Sequence, residues 1–151
     1  APGGGNRRLD HYPELFTDVI PCPHRGDMLS QGRKAEELAH VRTDRYAYDP
    51  EDGIRAVQHY QEAQACYSSA GAEHAASRVH RAMTALISRV NTDYAAARLN
   101  LLNAMEQERW SDALVEIHRL LLLTDHLGRH EYVEWLKQTI GSVASKASTS
   151  S

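Results

Sequence analysis

The chain has 151 residues, 42% of them hydrophobic and 25% charged, enough for one folded domain with a sizeable core. A formal net charge of −3 excludes the basic footprint that nucleic-acid binding through phosphates requires, so no nucleic-acid partner is expected. No apolar run approaches the roughly 20 residues of a membrane span; the run Leu120 to Leu123 belongs to an ordinary core helix.

Residues 1–8 (APGGGNRR) are glycine-rich and read as a flexible leader or a linker from an upstream domain. The chain opens at Ala1 without methionine, as expected of either a processed mature form or a piece of something longer. Leu9 to Ile20, with Leu9, Tyr12, Leu15, Phe16, Val19 and Ile20, is expected to form a short amphipathic helix that Pro21 and Pro23 stop. Two cysteines, Cys22 and Cys66, are too few for a disulfide framework. They either pair in an oxidising compartment or serve as a surface thiol and a small core residue. The second reading is favoured, because Cys66 falls in a helix suited to packing.

Ser30 to about Arg45 reads as a helix with Ala35, Leu38, Ala39 and Val41 on its apolar side, followed by the turn Asp49-Pro50-Glu51-Asp52-Gly53. The next stretch, Asp52 to Gly71, organises the rest. Ala56, Tyr60, Ala63, Tyr67 and Ala70 recur at helical spacing and make one stripe of small and aromatic residues. Alanines admit a neighbouring helix closely, and tyrosines fill the gaps between them, so this helix calls for partners on both sides. Gly71 suits a left-handed exit.

Ala72 to Val90 is the next helix, with Ala75, Ala76, Val79, Ala82, Met83, Leu86 and Ile87 on a broad stripe. The capping cluster Asn91-Thr92-Asp93 predicts a break there, against a competing reading of one helix from Ala72 to Glu108. Tyr94 to Glu108 is then helical, with Ala97, Leu101, Ala104 and Met105 inward. Ser111 is expected to cap a further helix, with Val115 packing as a staple on Trp110, and Gly128 to end it. Arg129 to about Val143 is the last helix, and residues 144–151 read as a flexible, serine-rich tail. The expectation is a single all-α domain over residues 9–143.

Helical hairpins with small residues on their faces suggest a solenoid. Ala56 to Gln64 (AVQHYQEAQ) closely resembles the second helix of a tetratricopeptide repeat, with Ala56, Tyr60 and Ala63 on the packing face. Glu108 to Leu120 (ERWSDALVEIHRL) resembles the same element, with Trp110 in the bulky turn position and Ala113, Ile117 and Leu120 on the face. The resemblance implies antiparallel helical hairpins stacked as a short tetratricopeptide-like solenoid or bundle. The matched residues are structural in that family, so they imply a fold and not a ligand.

Several residue groups invite chemistry. Among nine histidines, Cys22-x-His24 offers two metal ligands without a second pair, and Gly128 separates His126 from His130. Arg25-Gly26-Asp27 is the tripeptide that integrins recognise, and reads here as a glycine turn. Glu131, Glu134 and His130, or Asp49, Glu51 and Asp52, are carboxylate groups that read as a solvated helix start and a turn. No phosphate loop, nucleophile elbow or metalloprotease motif appears, so no enzyme and no cofactor or metal is expected.

In helical-hairpin solenoids the first helix of each pair commonly lines the concave surface. By that analogy Arg42, Arg45, Arg78, Arg81 and Arg98, with Asn100 and Asn103, would line a groove for a peptide or helix of another protein. The other reading of these residues is a solvated face. The function expected is a non-enzymatic protein–protein interaction module, an adaptor or scaffold on the cytoplasmic or periplasmic face of a bacterial secretion, motility or signalling assembly. A self-associating subunit is one rival, marked by an exposed patch at Tyr132, Trp135 and Leu136. The other is a small helical enzyme or metal-binding protein.

Overall fold

Capping chemistry and apolar stripes divide the chain into helices, and the structure, a computed structural model, describes residues 11–149. Among these it contains five α-helices and one 3-10 turn, with no strand. The expected leader and Leu9 lie outside the described residues, as do Ser150 and Ser151. The helices are α1 (Met28–Arg45), α2 (Pro50–Ser69), α3 (Glu73–Glu106), α4 (Trp110–Thr124) and α5 (Glu131–Thr149), with the 3-10 turn at Asp125–Leu127. The residues fall into two compact units, one of 16–91 and one of 11–15 with 92–149.

In the 16–91 unit, Asp27 caps α1, its carboxylate accepting from the Ser30 backbone N–H at 3.1 Å and the Ser30 hydroxyl at 2.9 Å. Asp49 caps α2 in the same way, and Pro50 takes the first helical position. The expected α2 stripe is the core: Ala56, Tyr60, Ala63 and Tyr67 are all buried, while Ala70 stays exposed at the helix end. Gly71 leaves the helix with φ of 74°, and the Ala72 N–H donates back to the Tyr67 carbonyl.

Helices α1 and α2 are antiparallel. Arg42 near the end of α1 meets Asp52 at the start of α2 at 2.8 Å, and Gly32 near the start of α1 lies under the Tyr67 ring near the end of α2. A Cβ on Gly32 would come within 2.8 Å of that ring, and one on Gly53 within 2.5 Å of Tyr46. Each helix therefore supplies a glycine for a tyrosine, Gly32 for Tyr67 of α2 and Gly53 for Tyr46 just past the end of α1. Arg89 of α3 covers the Tyr46 ring at 4.7 Å.

The helix expected over Leu9 to Ile20 does not form. From His11 to Asp27 the chain is irregular, since Pro13, Pro21 and Pro23 remove donors and bias Tyr12, Ile20 and Cys22 away from helical geometry. Its apolar residues serve two units instead of one face: Leu15 is buried in one, and Cys22 in the other. The favoured reading of the cysteines is also corrected. Cys66 is buried on α2 as expected, but the irregular segment brings Cys22 to it and the two form a disulfide, with Cα atoms 4.8 Å apart.

The break at Asn91-Thr92-Asp93 is corrected as well, because α3 runs unbroken for 34 residues. Val90, Tyr94, Ala97 and Leu101 continue the buried stripe, while the three polar side chains remain exposed. That stripe buries far more than a cap would recover.

In the other unit, α4 starts at Trp110 after Arg109, without the expected side-chain cap from Ser111. Val115 is exposed rather than stapled to Trp110. Lys146 covers the Trp110 ring at 4.5 Å, which sets α5 antiparallel to α4. The last helix continues through Thr149, so residues 144–149 are helical where fraying was expected; nothing after Gly141 interrupts the backbone ladder. Buried Ala113, Ile117, Leu120, Leu123, Tyr132, Val133, Leu136 and Val143 form this core. The Arg98 guanidinium lies 3.5 Å from the Tyr12 ring and 4.3 Å from the Tyr94 ring, two rings set nearly at right angles, and the Tyr94 hydroxyl donates to the Pro13 carbonyl.

Candidate functional site

The 16–91 unit carries an open groove of about 680 Å³ between α1 and the start of α3. Helical spacing on α1 places Leu29, Arg33, Glu36, Glu37, His40 and Val41 along one wall, and Ala75 and Arg78 form the other. From Leu29 to Val41 the wall rises roughly 18 Å, about three helical turns. Tyr67 makes the floor, and it reaches that position because Gly32 leaves room for its ring.

One carboxylate joins all three helices. The Tyr67 hydroxyl donates to Glu36 Oε1 at 2.7 Å, and Arg78 grips Glu36 through Nε at 3.0 Å and Nη2 at 2.8 Å. His40 Nε2 lies 3.7 Å from the same carboxylate. The two-pronged Arg78 contact, and after it the Tyr67 hydrogen bond, hold the Glu36 carboxyl below its ordinary range against the opposing effect of burial. Burial first, and then Glu36, push the Tyr67 hydroxyl up to about 12. The walls are thus fixed to the floor.

Chemically the groove is apolar at Leu29, Val41 and Ala75, with charged and polar groups at the rim. Val41 and Leu38, expected to face inward on α1, are 47% and 40% exposed, because the buried face of α1 runs through Gly32, Ala35 and Ala39 instead. A second, smaller groove of about 310 Å³ lies between α2, Met83 of α3 and the irregular residues Asp18 to Ile20. The Gln61 side chain donates to the Asp18 carbonyl there.

Of the residues expected to line a groove, Arg78 does so. Arg42 is committed to Asp52, while Arg45 and Arg81 are exposed away from the groove lining. Arg98 packs against its two tyrosines, Asn100 is exposed, and Asn103 accepts from Gln107. Arg42, Arg45, Arg78 and Arg81 belong to one unit, and Arg98, Asn100 and Asn103 to the other. Sequence reading missed Leu29, Arg33, Glu36, His40 and Tyr67 as site residues. Their signal was present, since 29, 33, 36 and 40 recur at helical spacing.

Cys22 sulfur, weighed in the sequence as a metal ligand, is consumed by the disulfide, and no cluster suited to a metal occurs among the described residues. Asp27 of the integrin-like tripeptide is engaged as the α1 cap. His126 and His130 diverge: the first contacts the Leu15 carbonyl, and the second accepts from the Tyr132 N–H. Tyr132 and Leu136 are buried and Trp135 is half-buried, so that patch is not exposed. No helix among the described residues is long and apolar enough to cross a membrane. Comparison with known proteins gives no match: no family model fits the chain, and neither a curated protein nor a solved structure matches it.

Proposed function

We propose that the chain is a protein-interaction module whose groove between α1 and α3 receives a segment of another protein. The observation that carries this reading is a preformed apolar groove tied to its floor by the Tyr67–Glu36–Arg78 network. Leu29, Val41 and Ala75 supply the apolar contact, and Arg33, Glu37 and His40 orient the incoming segment from the rim. A wall already held in place spares the ordering cost that a loose surface would pay on binding. The antiparallel pairs α1–α2 and α4–α5 fit the tetratricopeptide-like hairpin arrangement, which is part of the same proposal.

The test places a photo-crosslinking amino acid at Val41 and maps what it captures by mass spectrometry. A single defined segment is expected, and Leu29→Asp should reduce its capture at least tenfold while leaving the circular dichroism unchanged. Capture of many unrelated peptides, or equal capture by the variant, would remove the reading. Exposed Leu99 and Leu102 on α3, with Val115 and Leu122 on α4, favour self-association as a second reading. Light scattering decides between them, since a stable oligomer of the purified chain would support the second.

A further inference from the structure

Residues 16–27 have no regular structure and little apolar grip on their own unit. Phe16 and Ile20 are only half-buried, and Val19 is 91% exposed. Two attachments to α2 hold the segment: the Gln61 hydrogen bond to the Asp18 carbonyl, and the Cys22–Cys66 bond. Both cysteines are enclosed, at 8% and 0% exposure. Cys66 directly precedes Tyr67, the groove floor, and Cys22 lies just ahead of α1. The crosslink therefore joins the approach to α1 with the last turns of α2, at the Leu29–Arg33 end of the groove.

We propose that this protein folds and acts in an oxidising compartment, where Cys22 and Cys66 form a permanent crosslink that fixes this end of the groove. In a reducing cytosol such thiols stay unpaired, and a disulfide there is usually exposed and transient. An enclosed bond has the opposite character, because a thiolate attacks only a sulfur that it can reach. Formation needs an oxidant carrying a disulfide. One cysteine thiolate attacks it, breaking its S–S bond and giving a mixed disulfide. The other then displaces the carrier sulfur, so that the Cys22–Cys66 bond forms, the two thiol protons end on the carrier sulfurs by way of solvent, and the oxidant leaves as a dithiol. The bond spans 44 residues, including all of α1, and so restricts the unfolded chain over most of this unit.

The compartment assignment stands apart from the groove reading, because its test reads thiols and not binding. Producing cells are quenched in acid, denatured and treated with a polyethylene-glycol maleimide, with and without prior reduction. No added mass before reduction and two additions after it are expected; addition without reduction would overturn the assignment. The crosslink itself is tested on purified protein. The double variant C22A/C66A should melt about 10 °C below the oxidised chain, the shift a loop of this length implies. Equal melting would overturn the structural role. If the variant does not fold, the wild-type bond surviving in a glutathione buffer at cytosolic poise decides instead, and its loss there overturns the proposal.

Discussion

Two tyrosine rings close the α1–α2 hairpin, and each lies where a side chain on the residue beneath would collide with it. Gly32→Ala and Gly53→Ala should each destabilise the protein by about 1–3 kcal/mol in urea denaturation, with Gly53 the costlier because Val90 also crowds that position. Gly141 in α5 has open space around its Cβ position, so Gly141→Ala should stabilise by up to about 1 kcal/mol. The contrast separates packing from helix propensity, which favours alanine at all three positions. Titration adds a second prediction at this scale. Glu36 is depressed in the folded state, so its contribution is present above the ordinary carboxylate range and is lost as pH falls through the lower folded value. Glu36→Gln should flatten that part of the stability–pH curve below about pH 4.5. Tyr67 and Tyr94 are shifted the other way, both to about 12, chiefly by burial. Their contribution is complete below pH 10 and disappears as pH rises through the folded value. Burial raises the Tyr132 hydroxyl as well, so absorbance at alkaline pH should show these three tyrosines ionising late, and Tyr67→Phe should remove one.

Helix α3 decides between a cap and a stripe. If Asn91-Thr92-Asp93 ended one helix and started another, Thr92→Ala would cost about 1 kcal/mol as a lost cap. In an unbroken helix Thr92 is an exposed interior position, so the same change should fall within about 0.5 kcal/mol of neutral. Thr92→Pro should instead cost about 3 kcal/mol or more and reduce helical circular dichroism. Element identity was legible where an unbroken buried stripe met no competing local signal. The α2 stripe was read correctly for that reason, as were the positions, though not the exact ends, of α1, α4 and α5. The errors lie where competing local signals had comparable strength. Polar capping residues on an exposed face looked like a boundary, and apolar residues in the proline-flanked segment looked like one helical face.

At the scale of the whole molecule, the all-α class was readable from periodicity, while the groove was not. Arginines were singled out by analogy with a concave row, yet Arg42 and Arg98 are spent on Asp52 and on two aromatic rings. A side chain's partner depends on residues distant in sequence, and helical spacing carries no information about them. The pairing of Cys22 with Cys66 was hidden for the same reason, since it depends on the path of an irregular segment. That segment also imposes an order in time. Tyr12 to Leu15 belong with residues 92–149, and Leu15 meets His126 across 111 positions. At ribosomal rates the partner emerges about 5–20 s after Leu15 does. The 16–91 unit has its whole sequence well before then, so these early residues must wait, unburied, for the last helices to be made. A stall in synthesis after Asn91 would thus leave Leu15 a free apolar side chain, available to a chaperone or to another chain.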